Sequence, residues 1–458
     1  MRNHDAIVIG TGQSGPALAR RLVAAGQDVA VIERKLFGGT CVNTGCTPTK
    51  TLIASAYAAF LARRADDYGV TIGGTVAVDM KAVKARKDAV VGPSRQGVER
   101  SLKTLKGCTV YEGHARFVAA KQVTVNGAEL AAERIFINVG ARAAIPPIPG
   151  LDRVSYLTNS SMMDVDFLPD HLIILGGSYI GLEFAQMYRR FGSEVTIIEL
   201  APRLIAREDE DVSHAIADFL KEEGIDVRVG SKAVGVEKQG SSIAVNVESA
   251  AKVSPVIGTH LLVAIGRRPN TDDLGLEKAG IATDAHGYIQ VDDQLRTSVP
   301  GVWAMGDCNG RGAFTHTSWN DFEIVAANLL DNDRRRVSDR ITAYALYTDP
   351  PLGRAGMTEA EVRKSGAPAL VATMAMEDVS RAYEKGETKG FMKILVGRDS
   401  KQILGASCLG LTGDEVIHCI LDVMYAKAPY TVLKRAMHIH PTVSEFIPTM
   451  LEDLRPLQ

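Results

Sequence analysis

Residues 6–33 read AIVIGTGQSGPALARRLVAAGQDVAVIE. The β-branched run Ala6-Ile7-Val8-Ile9 enters a glycine turn, Gly10-Thr11-Gly12-Gln13-Ser14-Gly15, and an apolar-periodic helix follows. A second strand, Val29 to Ile32, ends on Glu33. A glycine motif of this spacing carries meaning only in that strand–turn–helix–strand context. Gly10 serves the tight turn, Gly12 lets the backbone approach a pyrophosphate, and Gly15 lets helix pack on strand. Pro16 falls in the first helical turn, where a missing N–H costs nothing. Glu33 is placed to accept hydrogen bonds from an adenosine ribose. The stretch reads as a dinucleotide-binding unit of an α/β protein.

Residues 172–199, LIILGGSYIGLEFAQMYRRFGSEVTIIE, repeat the plan. Glu199 stands 23 residues after Gly176, as Glu33 stands 23 after Gly10. Gly176 and Gly181 take the outer glycine positions, and Ser178 replaces the middle one, where a side chain crowds the turn slightly. Two such units in one chain imply two bound dinucleotides, an arrangement suited to passing electrons between them. An acidic residue ending the second strand favours a free 2′-hydroxyl over a 2′-phosphate, so Glu199 argues for NADH over NADPH. Arg203, Arg189 and Arg190 lie close enough in sequence to leave both donors open.

The whole chain of 458 residues predicts about three domains at roughly 150 residues each. Its 46% hydrophobic and 23% charged content, with mean hydropathy +0.01, suits packed cores and excludes general disorder. A formal charge of -2 gives no electrostatic footprint for nucleic acid or an anionic membrane. No apolar run has the length of a spanning helix, and no signal-peptide pattern precedes Ala6, so a cytoplasmic, reducing setting is expected.

Six cysteines are too few for a disulfide scaffold. Cys108, Cys308, Cys408 and Cys419 are scattered and read as small buried hydrophobes. Cys41 and Cys46 are different. They lie in Gly38-Gly39-Thr40-Cys41-Val42-Asn43-Thr44-Gly45-Cys46-Thr47-Pro48-Thr49-Lys50, between the first glycine unit and the next helix, read as Leu52–Arg64. A zinc site would need a second ligand pair, and none follows. So polar a stretch is poor core material. A redox-active disulfide beside a bound dinucleotide accounts for both facts.

The segment GGTCVNTGCTPTK, the two glycine units and the C-terminal HIHPTVSE together resemble the class I flavoprotein disulfide reductases. That family includes lipoamide dehydrogenase, glutathione reductase, mercuric reductase and related metal- or oxidant-stress enzymes. The resemblance covers essentially the whole chain in family order. It implies FAD, bound tightly and non-covalently, on the first unit and NADH or NADPH, with NADH preferred, on the second. It implies that Cys46 is the thiol that forms the charge-transfer complex with flavin, and Cys41 the outer, substrate-exchanging thiol. Lys50 and Glu183 match the pair near the flavin N5 edge. Tyr179 matches the side chain that covers the nicotinamide face of the flavin. Asp307, after the short apolar run Val302–Met305, matches the acid on the ribityl chain. Gly39, Thr40, Gly140 and Gly266 join the cofactor-binding set. His440 and Glu445 match the acid–base pair, with a carboxylate fixing an imidazole that takes a thiol proton; His438 is read as structural or as a support behind that pair. In the family this ending reaches the partner's site, which implies a homodimer with shared active sites.

The expected architecture is α/β: two Rossmann-like domains, for FAD and NAD(P), plus an α+β dimerisation domain. Residues 1–145 and 268–335 would form the FAD domain, with Gly140-Ala141-Arg142 and Gly266-Arg267-Arg268-Pro269 marking its crossings. Residues 146–267 would form the NAD(P) domain. Residues 336–458, opened by the charged run 331–336, would form the third, with an alternating strand at 391–396 and a helix at 414–426.

Glu199 makes glutathione reductase a poor match. Dihydrolipoamide dehydrogenase fits the donor and the HxHPTxxE ending, but Thr44 and Thr47 replace its usual aliphatic residues. The stretch Tyr347–Thr358 looks closer to the mercuric-reductase-like and reactive-chlorine-resistance branch. Paired thiolates bind soft ions such as Hg(II) or Cu(I), so Cys41 and Cys46 would be transient ligands of a substrate metal, with no permanent metal site expected. The ending Asp453–Gln458 has no cysteine pair, and no metal-binding domain precedes the first glycine unit, which counts against efficient Hg(II) detoxification. The expected acceptor is a soft metal ion or an oxidant-stress substrate, with lipoamide the alternative. A redox-silent flavin- or metal-binding protein is the non-enzymatic reading.

Overall fold

The computed structural model describes residues 1–250 and 252–457. The chain divides into two compact units. The first comprises Met1–Pro146, Leu157–Phe167 and Ile265–Arg340; the second comprises Pro147–Tyr156, Leu168–Ala264 and Ile341–Gln458.

In the first unit the opening strand Arg2–Ile9 pairs in parallel with Val29–Glu33 on one side and Ala128–Ile137 on the other. Cys108–Glu112 extends the sheet past Val29–Glu33, and Val302–Ala304 pairs in parallel with Ala128–Ile137. Successive side chains of a strand face opposite sides, so a sheet covered on both faces needs continuous apolar runs. That is what the first strand supplies. Ile7, Ile9, Ala30 and Ile32 enter one core, while Ala6, Val8, Val29 and Val31 enter the other with Leu18 and Leu22 of the helix Ser14–Ala24. Leu18 is fully buried, and Leu18→Ala would cost about 2–5 kcal/mol.

The second unit repeats this order. Asp226–Arg228, Glu194–Ile198, His171–Leu175 and His260–Val263 form a four-stranded parallel sheet. An antiparallel meander of Lys232–Gln239, Ser242–Ser249 and Lys252–Gly258 falls between the last two of these strands in sequence, Asp226–Arg228 and His260–Val263. The C-terminal part forms a six-stranded antiparallel sheet with the helix Gly413–Tyr425. The fold is the expected mixed α/β class, with two sheets built on parallel strands, the first extended by the antiparallel strands Gln122–Val125 and Arg116–Ala119, and an α+β C-terminal part. In the first unit, Ala141–Ala143 pairs antiparallel with Arg267–Pro269, so the two glycine-led segments read as crossings form one ribbon.

Four local readings need correction. Gly39–Asn43 is already helical, and the next helix begins at Cys46 and runs to Arg63, so both thiols lie on helices. Local composition hid this because Thr and Asn favour turns on propensity alone. The strand Phe391–Gly397 is buried at six of its seven positions and does not alternate, because it is central in its sheet and covered on both faces. Cys308 and Cys408 are buried, but Cys108 and Cys419 are only partly so. The C-terminal helix runs Gly413–Tyr425, one residue earlier than expected at each end. No helix among the described residues is long and apolar enough to cross a membrane.

Candidate active site

The first glycine turn is closed by backbone. Gly10 has φ +102°, and a Cβ there would stand 2.2 Å from the carbonyl oxygen of Asn138. A Cβ on Gly15 would stand 2.2 Å from the Gly10 carbonyl, and one on Gly12 would press at 3.2 Å on Asn138 Nδ2. That Nδ2 is buried and has no hydrogen-bond partner in the protein. A turn stripped of side chains, with an orphaned donor behind it and a helix N-terminus ahead, fits a pyrophosphate. Glu33 braces this turn from the end of the second strand. Its carboxylate accepts from Thr11 N at 3.0 Å, Thr11 Oγ1 at 2.6 Å and Lys35 N at 2.9 Å, tying the strand end to the turn. Gly39 abuts this turn, since a Cβ on it would meet Gly12 Cα at 2.8 Å.

The thiols follow directly. Gly38, at φ +96°, starts the short helix that carries Cys41, and Asn43 Nδ2 donates to the carbonyls of Phe37 and Gly39 at 2.8 and 2.9 Å. Thr40 O accepts from Thr44 N at 2.8 Å, which ends the turn and lets a new helix open on Cys46. Cys46 is therefore the first residue of an 18-residue helix, where the backbone dipole favours a thiolate. Both cysteines are free thiols, Cys46 exposed and Cys41 half-buried. Their titrations are linked: the Cys41 thiol, the Thr315 hydroxyl and the Lys50 ammonium draw the Cys46 thiol down to about 6, while Cys46 and burial push Cys41 well up. In the reduced pair Cys46 is thus the more acidic thiol and Cys41 the less acidic.

Thr315 Oγ1 lies 2.9 Å from Cys46 Sγ. It opens the helix Thr315–Leu330, which also fixes the rest of this half-site. Ser318 Oγ bonds Ser14 Oγ at 2.6 Å, at the start of the first glycine helix. Asp321 Oδ2 accepts from Gly306 N at 2.8 Å and Asn309 Nδ2 at 2.9 Å, holding the turn that carries Asp307. Asp307 Oδ2 is 3.2 Å from Arg267 Nη2. Burial raises the Asp307 carboxyl, and Arg267 partly offsets this. Gly140 and Gly266, at φ +66° and +133°, each lead into one strand of the ribbon beside it. Sequence reasoning did not find Asn138, Thr315, Ser318 or Asp321, because each acts across more than a hundred residues or through a turn of no distinctive composition.

In the second unit a Cβ on Gly181 would stand 2.0 Å from the Gly176 carbonyl. Ser178 adopts extended backbone, φ -108° and ψ -175°, which tolerates a side chain at the middle position. Glu199 repeats the role of Glu33, accepting from Gly177 N at 2.5 Å and Ala201 N at 2.7 Å. The cations that left a 2′-phosphate open are turned elsewhere. Arg203 donates to the carbonyls of Ala206 and Glu208, Arg189 to those of Glu223 and Ser193, and Arg190 pairs with Glu223 and Asp349. Arg207, eight residues past Glu199, is exposed. Tyr179 packs edge-on against Tyr344 at 5.5 Å, and the two hydroxyls donate to Glu208 Oε1 at 3.4 and 2.5 Å respectively. Glu183 is buried and accepts from Tyr347 N at 3.1 Å. His440 Nδ1 meets both Glu445 oxygens at 3.1 Å, and Thr442 N holds Glu445 Oε1 at 3.1 Å. The imidazole is 76% exposed, which presents Nε2 for proton transfer to a group outside this segment. His438 Nε2 sits 3.4 Å from Leu433 O.

The family model described as pyridine nucleotide-disulphide oxidoreductase matches residues 4–321, and its dimerisation domain matches 342–451. The probable pyridine nucleotide-disulfide oxidoreductase RclA of Escherichia coli is 36% identical over 97% of this chain and 98% of its own. A mercuric reductase of Streptomyces lividans is 33% identical, covering 96% and 94%, and a dihydrolipoyl dehydrogenase of Thermus scotoductus is 33% identical, covering 97% and 96%. A solved structure of the Cu(II) complex of HOCl-induced flavoprotein disulfide reductase RclA from Escherichia coli superposes with TM-score 0.89 at 35% identity, over 98% of this chain and 99% of that one. Proteins of this family use FAD and NAD(P)H. The chain belongs to the pyridine nucleotide-disulphide oxidoreductase family and is an NAD(P)H-dependent flavoprotein disulfide reductase, similar to RclA and the mercuric reductases.

Proposed function

We propose that this enzyme takes electrons from NADH and delivers them through Cys41 and Cys46 to a soft metal ion, such as Cu(II) or Hg(II), or to a disulfide formed under oxidant stress. The observation that carries the reading is the placement of the two thiols, Cys41 on one short helix and Cys46 opening the next, with Cys46 Sγ 2.9 Å from Thr315 Oγ1. Paired soft sulfur ligands suit thiophilic ions, and the RclA structure similar to this chain is a Cu(II) complex of an HOCl-induced protein.

When bound, FAD supplies the carrier that accepts a hydride from the nicotinamide and passes an electron pair onward. The glycine turn at Gly10–Gly15, Glu33 and Asp307 would hold it, with Lys50 and Glu183 beside its ring. The turn at Gly176–Gly181 and Glu199 would hold NADH. The inward-turned Arg203, Arg189 and Arg190 support NADH over NADPH, and Tyr179 would cover the nicotinamide side until the donor arrives. Cys46 receives the electron pair. Cys41 then acts on the acceptor after His440 removes its proton, with Glu445 stabilising the imidazolium. A disulfide acceptor takes two electrons and two protons to give two thiols. A Cu(II) acceptor requires two ions per NADH, each reduced to Cu(I). The exposed His440 is suited to serve a second copy of the chain, so the working enzyme is a homodimer with shared sites, acting in the cytoplasm.

The test is anaerobic NADH oxidation by the purified flavoprotein with lipoamide, Hg(II) and Cu(II) side by side, each against a Cys41→Ser control. Cys41-dependent metal turnover with negligible lipoamide reduction is expected. Fast lipoamide reduction with Cys41-independent metal turnover would replace this reading with dihydrolipoamide dehydrogenase.

A further inference from the structure

We infer that the Thr315 hydroxyl, donating to Cys46 Sγ, stabilises the dithiol form of the Cys41–Cys46 pair and so sets how readily its disulfide is reduced. The inference rests on the reading of these two cysteines as the redox pair. The contact is 2.9 Å, well inside hydrogen-bond range for a sulfur acceptor. A thiolate carries a full charge that a disulfide sulfur lacks. The bond is therefore strong in the reduced form and weak in the oxidised one, and only such a differential interaction moves the equilibrium.

The hydroxyl is held in place, so little ordering is needed to make the bond. Phe314 N donates to Thr317 Oγ1 at 3.1 Å, and Thr317 Oγ1 donates to Phe314 O at 2.7 Å, which fixes the first turn of the helix. The Ser14–Ser318 bond and the Asp321 bonds to Gly306 and Asn309 anchor the next two turns to the nucleotide-binding turn and the Asp307 turn. Cys46 therefore meets two helix N-termini, its own and that of the 16-residue helix Thr315–Leu330. The other groups bearing on the thiolate are Cys41 and Lys50; His316, next to Thr315, is exposed and stacks on Phe314 at 5.3 Å.

The couple is a disulfide plus two electrons and one proton giving the Cys41 thiol and the Cys46 thiolate. Removing one hydrogen bond to a charged acceptor should favour the disulfide by about tenfold, equivalent to about 30 mV for a two-electron couple. The experiment equilibrates the holoenzyme anaerobically in dithiothreitol redox buffers, quenches by alkylation, and quantifies dithiol and disulfide by mass spectrometry. Thr315→Val keeps the shape and removes the donor, whereas Thr315→Ser keeps the donor. The expected result is a tenfold shift toward disulfide for Val and a shift under twofold for Ser, with both variants melting near wild type. A Val variant within twofold of wild type overturns the role of Thr315 and leaves the redox pair standing. A wild-type protein that forms no Cys41–Cys46 disulfide in any buffer overturns the pair and this inference together.

Discussion

The helix Thr315–Leu330 makes Asp321 the most informative single position for the flavin half of the enzyme. Its carboxylate is almost wholly buried, at 3% exposure, and its two oxygens serve different structural tasks. One oxygen accepts from Gly306 N at 2.8 Å and Asn309 Nδ2 at 2.9 Å; the other meets Arg340. Asp321→Asn keeps the volume but cannot keep these bonds. Its amide nitrogen must face either two donors or a guanidinium, and its single oxygen cannot serve both sides. Leaving one buried donor unsatisfied costs about 1–3 kcal/mol, and stripping a buried cation of its partner costs about 3–5 kcal/mol. The terms overlap because the side chain will choose one orientation, so the expected loss is about 3–5 kcal/mol. At roughly 2–4 °C per kcal/mol for a body of this size, melting should fall by about 6–20 °C. The loss should also reach function, since the turn that Asp321 fixes carries Asp307. Thermal unfolding followed by circular dichroism, alongside flavin release followed by fluorescence, reads both effects. A variant melting within about 2 °C of wild type and retaining full flavin would refute the claim that this helix organises the half-site.

Other expectations use the same logic. Cys41→Ser should lower disulfide and metal turnover by about a thousandfold or more while NADH still bleaches the flavin, measured by stopped-flow absorbance; retained turnover would mean that electrons leave by another route. Glu199→Ala removes the acceptor for Gly177 N and Ala201 N, so kcat/KM for NADH should fall about tenfold or more without a gain for NADPH; a tenfold rise with NADPH would show that Glu199 acts only by repelling a 2′-phosphate. Arg354→Met probes the buried cluster under Tyr179. Burial holds Glu208 above the usual carboxylate range and Arg354 opposes this, while Lys393 and Arg354 hold Asp209 below it. Without Arg354 both carboxyls should bind protons more tightly in the folded chain. Stability lost to the substitution should therefore be small near pH 5 and grow toward about 3–5 kcal/mol by pH 8. A melting-temperature deficit that is the same at both pH values would contradict that sign.

How far the sequence could be read depended on whether a residue's task was local. The two glycine units were legible because strand, turn, helix and strand occupy one continuous stretch, and the turn is so tight that backbone fills the space a Cβ would need. The cysteine pair and the His440–Glu445 pair were legible because each is separated by only four residues. What local composition could not reveal is that both thiols sit on helices, because helix formation there is imposed by Gly38, by the Asn43 bonds and by packing, not by propensity. The same limit explains the double duty of Glu33 and Glu199. Strand-end position suggests a ribose acceptor, but only coordinates show each carboxylate bracing its own glycine turn.

Thr315 marks the far end of this scale. A threonine between Phe314 and His316 has no pattern of its own, and 269 residues of chain separate it from the sulfur it touches. Its partner is specified by strand order: Val302–Ala304 joins the sheet beside Ala128–Ile137, so the Asp307 turn and the helix after it come back to the first glycine turn. The sheet that shapes the first glycine turn thereby also delivers a hydroxyl to Cys46. A slip of Val302–Ala304 along Ala128–Ile137 would displace Thr315 and so reach Cys46 with the cysteine motif's own sequence unchanged.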